Sequence, residues 1–401
     1  MRQDYANGRQ APVFAGPGCL SRLPELRRQH AAKRYLLITD AGLEASGVLA
    51  PFVAELEQDA ALSRFVAPPG EPTVATVDQA ARVVRELDAP LVIGIGGGTA
   101  LDIAKLVAAL AGSPGQMDQY LLGRSPWCGR APAVMVPTTS GTGSEVTRTS
   151  ILADDTRRKM WAWGDELLPD AVLLDPRLTC SLPAPLTAAT GLDAFVHALE
   201  ATTGRNRNRL IESQALAAIR LIGASLPEAV HDPHNLQARQ QLQEAACLAG
   251  MAIDNGGTGI AHNIGHALGS LYHLPHGVAV AIAVEATLGW SVTGHEAIFA
   301  PSAHALLPGS GAEELPALIR ELADASAFDL ALAPFTGVEM DASRLAEEMR
   351  DEANAPMANN AARRPEGDDW QTLAELTVTS FQRRRQRLQQ GSSAEAQEAL
   401  A

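Results

Sequence analysis

Through its first half the chain alternates short β-branched runs with amphipathic stretches. "YLLIT" (35–39) reads as a buried strand and "ASGVLAPFVAELEQ" as the helix after it. "LSRFVA" predicts a second strand, and "TVATVDQAARVVRELD" a helix with Thr73 or Thr76 as its N-cap. "LVIGIGGG" (91–98) predicts a third strand running into glycines, and "TALDIAKLVAALAG" the helix it feeds. "AVMVPTT", "TSILAD" and "AVLLDP" supply further strands. Repeated strand, helix, strand order requires parallel pairing with right-handed crossovers, hence an α/β domain built on an open parallel sheet.

Beyond "LPAPLTAAT" the period changes. From about residue 186 apolar positions recur at helical spacing, in "TAATGLDAFVHALEATTG", "LIESQALAAIRLIGASL", "ARQQLQEAACLAGMAID", "GIAHNIGHALGSL", "AEELPALIRELADASA", "ASRLAEEMRDE" and "DDWQTLAELTVTSFQRRR". The shift at Pro183 and Pro185 sets the expected boundary between an α/β domain (1–183) and an all-helical domain (184–401). Two domains are also what 401 residues call for. The apolar run "VAVAIAVEATLGW" is interrupted by Glu285 and is too short to span a bilayer. Arg383 to Arg387 reads as a solvated helix end.

Composition narrows the function. Aromatic residues make up only 4%, so the core must be built from Ala, Leu, Val and Ile. A net charge of -14 argues against nucleic-acid binding, which needs a basic face to displace counterions. Cys19, Cys128, Cys180 and Cys247 are scattered without a C-x-x-C pair, the usage of reduced thiols. The opening "MRQDYANGRQAPVF" has no apolar core of a signal peptide, so the cytoplasm is the expected compartment.

Two kinds of chemistry stand out. In "GIGGGTALD", Gly96, Gly97 and Gly98 follow a strand and open a helix, where backbone N–H groups and the helix dipole attract an anion such as a pyrophosphate. The spacing is neither G-x-G-x-x-G nor a P-loop, and a tight turn is the alternative reading. "PTTSGTGSEVT" (137–147) places a second rim of small hydroxyl residues and glycines at the same carboxyl edge, where open α/β sheets bind ligands. Asp40, closing the strand "YLLITD", stands where a carboxylate reads a ribose diol and repels a 2′-phosphate, or else caps a helix.

The second is a histidine cluster. "GIAHNIGHALGSLYHLPHG" holds four of the ten histidines: His262, His266, His273 and His276. Asp193 and His197, four apart in "GLDAFVHALE", share one helix face, and His262 and His266 repeat that spacing. Pro275 and Gly277 let His276 approach from a separate segment. One carboxylate with several imidazoles suits iron(II) or zinc rather than calcium or magnesium. A metalloprotease is excluded because Asn263 follows His262 where that chemistry needs a glutamate.

Together "GGGTALDIAK", "PTTSGTGSEVT", "ATGLDAFVHALE" and "GIAHNIGHALGSLYHLPHGVAVA" resemble the iron-containing (group III) alcohol dehydrogenase family. The correspondence starts at "VFAGPGCLSRLPEL" and fades after "SVTG" near residue 294; members often carry a late Asn-Pro-Arg run where this chain has "NAPMANNAARRP". The resemblance implies a dehydroquinate synthase-like architecture and an NAD-linked alcohol dehydrogenase or aldehyde reductase. It implies Asp193, His197, His262 and His276 as ligands of iron(II), with zinc as the other candidate, and His266 as a non-ligand proton carrier near the nicotinamide. Gly97, Gly98 and Thr99, with Asp102 close by, match the pyrophosphate loop, and Thr138, Thr139 and Ser144 the second cofactor rim. Asp40 matches the carboxylate of NAD-using members and Lys159 a cofactor-contacting lysine. His273 matches no role and reads as a surface or hydrogen-bonded residue. The implied partner is a small alcohol or aldehyde, and the implied assembly a homodimer or larger. The alternative is a dehydroquinate synthase-like lyase, whose phosphorylated acid substrate needs several Lys and Arg; the two metal-site motifs contain none.

Overall fold

Burial of strand residues on both faces, as at Tyr35 to Thr39, marks a sheet covered by helices on two sides. The computed structural model describes residues 4–154 and 158–398, with side chains through residue 390. The chain divides into two units, Gly8–Ser181 and a second from Leu182 onward that also takes in the described N-terminal residues through Asn7. In the first unit the strands are β1 (Val13–Ala15), β2 (Arg34–Asp40), β3 (Ala61–Ala67), β4 (Pro90–Gly96), β5 (Ala133–Pro137), β6 (Thr149–Ala153), β7 (Lys159–Trp163) and β8 (Ala171–Leu174). Six form one parallel sheet in the order β1-β8-β5-β4-β2-β3.

Its helices are α1 (Leu23–Gln29), α2 (Ala41–Ser46), α3 (Ala50–Asp59), α4 (Val74–Arg85) and α5 (Gly98–Gly112). Alternate residues of each strand serve different cores. Leu36 and Ile38 pack with residues of α4 and α5, while Tyr35 and Leu37 pack with residues of α1 and α3. Thr73 is the N-cap of α4, accepting from the Thr76 amide at 3.1 Å.

Three features depart from the sequence reading. The helix expected over "ASGVLAPFVAELEQ" is two, α2 and α3, because Gly47 adopts a left-handed φ of +71° at the end of α2. "TSILAD" forms a strand, but β6 pairs antiparallel with β7 in a hairpin outside the parallel sheet. The three-residue β1 pairs with β8 and had no periodic signature long enough to read.

The second unit is helical: α6 (Ala184–Thr203), α7 (Arg209–His231), α8 (Leu236–Gly256), α9 (Ile260–Tyr272), α10 (His276–Val292), α11 (Glu296–Leu306), α12 (Leu315–Ala325), α13 (Asp329–Leu332), α14 (Ala342–Met349), α15 (Ala355–Asn360) and α16 (Asp369–Glu398). Alanine dominates its core, from Ala188, Ala194, Ala198 and Ala201 on α6 to Ala279, Ala281 and Ala283 on α10, so helices approach closely. The apolar run that Glu285 interrupts is α10, buried along most of its length.

Arg384 corrects the reading of Arg383 to Arg387 as a solvated helix end. Its side chain is 1% exposed. Its guanidinium donates to Glu285 Oε2 at 2.7 Å through Nε and to Asp329 Oδ1 at 2.6 Å through Nη1, and Nη2 also pairs with Glu285. Ser380 donates to the other Glu285 oxygen at 3.2 Å. A carboxylate inside the apolar α10 requires a buried cation, and α16 supplies it. Removing one partner leaves an uncompensated buried charge: Arg384→Ala is expected to lower unfolding free energy by about 3–5 kcal/mol in denaturant titrations. The paired change Glu285→Met with Arg384→Leu is expected to cost far less, since it removes both charges.

Candidate metal centre and cofactor cradle

Three helices deliver the metal-type residues. Asp193 and His197 lie one turn apart in the middle of α6, His262 lies in the first turn of α9, and His276 opens α10. The link between α9 and α10 is short because His273 ends α9 in a left-handed conformation, φ +54°, donating its amide to Gly269 O at 3.0 Å. Histidine tolerates that region better than bulky or β-branched residues do, so His273 is a chain-reversing residue. Gly277 then permits close approach: a Cβ there would lie 2.6 Å from the carbonyl oxygen of Ala189 on α6. A larger residue would push His276 away from Asp193.

The donor atoms converge. Asp193 Oδ1 lies 3.9 Å from His197 Nε2, 3.8 Å from His262 Nε2 and 3.6 Å from His276 Nε2. All four residues offer ligand atoms within 4.8 Å of one another. These separations exceed hydrogen-bond length. Metal–ligand bonds of roughly 2.0–2.2 Å set the edge of a coordination tetrahedron at about 3.4 Å, and the nitrogens stand 3.6–3.9 Å from Asp193 Oδ1, slightly wider than that edge. Asp193 Oδ1 is buried and has no hydrogen-bond partner among the described residues, and a buried carboxylate oxygen so placed calls for a cation. The residues present therefore fit a divalent metal. His266, one turn beyond His262, is buried beside this group, its ring centroid 5.6 Å from that of His276.

Two residues that the sequence reading did not select hold the entry to α9. Glu200, on the same helix as Asp193 and His197, accepts from the amides of Gly259 and Ala261 at 2.6 Å each and lies 2.6 Å from His262 Nδ1. Its spacing, three beyond His197 and seven beyond Asp193, puts it on their face and was the signal available. Asn360, within "NAPMANNAARRP", donates to the carbonyls of Gly256 and Thr258 at 2.9 Å each, pinning the turn before α9.

In the first unit the two cofactor motifs meet at the carboxyl edge of the sheet. Thr138 donates its amide to Gly96 O at 3.0 Å. A Cβ on Gly97 would approach the Thr139 methyl at 3.4 Å, and one on Gly98 the Thr142 methyl at 3.0 Å. Gly96 has φ +155°, and a Cβ there would come within 2.7 Å of both Ala100 Cβ and Asp40 Oδ2. Glycine is thus what lets the Asp40 carboxylate sit against the turn that opens α5. The capping reading of Asp40 is what the structure shows: Oδ1 accepts from the Leu43 amide at 2.8 Å at the start of α2, while Oδ2 lies against Gly96.

The remaining residues are tied together below and beside the turn. Asp102 accepts from Ser144 Oγ at 2.5 Å and from the Ile151 amide at 3.2 Å, and pairs with the buried Lys105 at 3.1 Å. Asp102 and Ser144 thereby set the shape of the rim. Thr99 Oγ1 donates to Gly70 O at 3.0 Å, and the Lys159 ammonium pairs with Glu71 at 2.7 Å. Beside Ser144, Glu145 is buried, and loss of solvent pushes its carboxyl up to about 7.

Comparison with known proteins places the chain among described relatives. Residues 11–176 match the family model described as iron-containing alcohol dehydrogenase, and 187–361 the one described as Fe-containing alcohol dehydrogenase family, C-terminal. The match thus extends past residue 294, where the motifs fade. Long-chain-alcohol dehydrogenase 1 of Geobacillus thermodenitrificans is 38% identical over 280 residues, 69% of this chain and 70% of that protein. The crystal structure of 1,3-propanediol oxidoreductase superposes with a TM-score of 0.85 at 30% identity, covering 94% of this chain and 100% of that one. Sulfoacetaldehyde reductase from Bifidobacterium kashiwanohense in complex with NAD+ gives 0.84 at 25% identity, covering 94% and 99%.

The burial of Glu145 makes a prediction about pH. Its folded-state value, about 7, lies above the ordinary 4.5, so between those values the native protein binds more protons than the unfolded chain and stability falls as pH rises. Glu145→Gln is expected to flatten the stability profile across that window in thermal melts, leaving the variant relatively more stable above pH 7 than the parent.

Proposed function

This chain belongs to the iron-containing alcohol dehydrogenase family, and from that premise we propose that it interconverts a small alcohol and its aldehyde by hydride transfer to and from NAD, with iron(II) held by Asp193, His197, His262 and His276. Membership makes it an NAD-linked alcohol oxidoreductase; the residue roles, the ion and the substrate size are the proposal. The observation that carries the site is the approach of three imidazole nitrogens to Asp193 Oδ1 at 3.6–3.9 Å. Iron(II) is preferred on the family's description, with zinc the competing ion for the same donor set. The alternative lyase reading is set aside, because the matched family and relatives are alcohol and aldehyde oxidoreductases.

When bound, the metal supplies Lewis acidity that lowers the pKa of an alcohol, and NAD supplies the hydride acceptor. The protein's own work is binding, orientation and proton handling. Amides at the start of α5, exposed by Gly96, Gly97 and Gly98, suit the pyrophosphate. Thr138 and Thr139 add hydroxyl donors there, Thr99 joins them by giving up Gly70 O, the Asp102–Ser144 pair keeps the rim in shape, and Lys159 exchanges Glu71 for the cofactor. Asp40 accepts from the ribose hydroxyls and repels a 2′-phosphate. His266 takes the alcohol proton on its ring and returns it in the reverse direction. We also assign the chain to the cytoplasm as a homodimer or larger assembly. Among the described residues no helix is long and apolar enough to cross a membrane, and the net charge of -14 does not favour nucleic acid.

Protein purified anaerobically and loaded with iron(II) is expected to form NADH with simple primary alcohols and to consume it with their aldehydes, followed at the NADH absorbance. Absence of turnover across an alcohol and aldehyde panel with fully loaded protein would contradict the reading. His266→Ala is expected to keep its metal by elemental analysis and to lose roughly 100- to 10,000-fold in kcat, the range for a positioned acid–base group.

A further inference from the structure

We propose that Glu200 is a positioning residue that fixes the tautomer of His262, so that its Nε2 faces the metal position as a lone-pair donor; this rests on the metal-site reading above. The Glu200 side chain is 8% exposed and carries three contacts, all of 2.6 Å. Oε2 accepts from the Gly259 amide and meets His262 Nδ1, and Oε1 accepts from the Ala261 amide. Both amides lie at the start of α9, where backbone N–H groups have no intrahelical acceptor, and the N-cap Gly259 has no side chain to serve them.

The donor pattern determines the protonation of the ring. Backbone amides only donate, and an ionised carboxylate only accepts. Both oxygens already accept a backbone N–H, so the carboxylate meets the ring as an acceptor and the contact with His262 is made by Nδ1–H donating to Oε2. The neutral ring then bears its lone pair on Nε2, the atom 3.8 Å from Asp193 Oδ1. The same carboxylate that completes the start of α9 therefore also aims a ligand carried by that helix. Glutamine at this position offers one acceptor oxygen and an NH2 group. If that NH2 meets Nδ1 as donor, the proton moves to Nε2, where it points into the metal position and opposes binding.

The test measures metal binding without turnover. Metal-free protein is titrated with zinc(II) against a chelating indicator for the parent, Glu200→Gln, His262→Ala and the double variant. Glu200→Gln is expected to weaken binding roughly 10–100-fold, the usual loss for a partner that orients a metal-ligating histidine. In the His262→Ala background the same change is expected to add little, because its effect passes through that ring. A purely structural role would lower the melting temperature of metal-free protein and leave affinity unchanged, and that outcome overturns the proposal. A parent chain that binds no zinc would instead refute the metal site itself. Should Glu200→Gln fail to fold, nitrogen-15 NMR of the histidine-labelled parent, metal-free, reads the tautomer directly: a proton on Nδ1 of His262 is expected, and a proton on Nε2 overturns the assignment.

Discussion

A carboxylate oxygen buried among imidazoles is the constraint on which the helical unit depends. Asp193 Oδ1 is withdrawn from water without a hydrogen bond among the described residues, while three ring nitrogens stand near it beyond hydrogen-bond reach. Such an arrangement is costly as it stands, and the cation proposed for its centre would compensate it. Holding it demands closely packed helices, which explains the alanine-rich core and the glycine at 277 where α10 crosses against α6. The stability sacrificed at the centre is offset by burial elsewhere in a core that is otherwise apolar.

The supports around α9 serve the same end. Glu200 and Asn360 come from distant parts of the chain and converge on the few residues before His262. One satisfies the amides that open the helix, the other holds the carbonyls of the preceding turn. The first unit uses a different principle. Its cradle is made of main chain, with glycines removing side chains from the turn and hydroxyl residues lining it. Charged groups there have partners within the protein: Asp102 has Ser144 and Lys105, and Lys159 has Glu71.

Much of this was legible in the sequence because the signals were local. Asp193 and His197 four apart, glycines directly after a strand, and a change from strand to helical period each express geometry within one element. What escaped depended on partners far along the chain. The spacing of Glu200 puts it on the face of Asp193 and His197, but its role appears only when the turn at residues 259–261 folds against it. Arg384 sits in an arginine-rich stretch, and Glu285, 99 positions earlier, draws it inside together with Asp329. The β6 strand has the composition of a strand in either sheet, and composition does not state its partner. Asp40 carries two readings because a carboxylate at the end of a strand can cap the next helix or face a ligand, and the structure shows the cap.

The central claim is that four side chains from three helices hold one divalent ion. Anomalous X-ray diffraction from crystals of iron(II)-loaded protein, collected on either side of the iron edge, addresses it most directly. The account predicts one strong iron peak at bonding distance, roughly 2.0–2.2 Å, from Asp193 Oδ1 and the Nε2 atoms of His197, His262 and His276. Iron bound elsewhere, or no peak among these residues in a crystal whose protein contains iron, would contradict it.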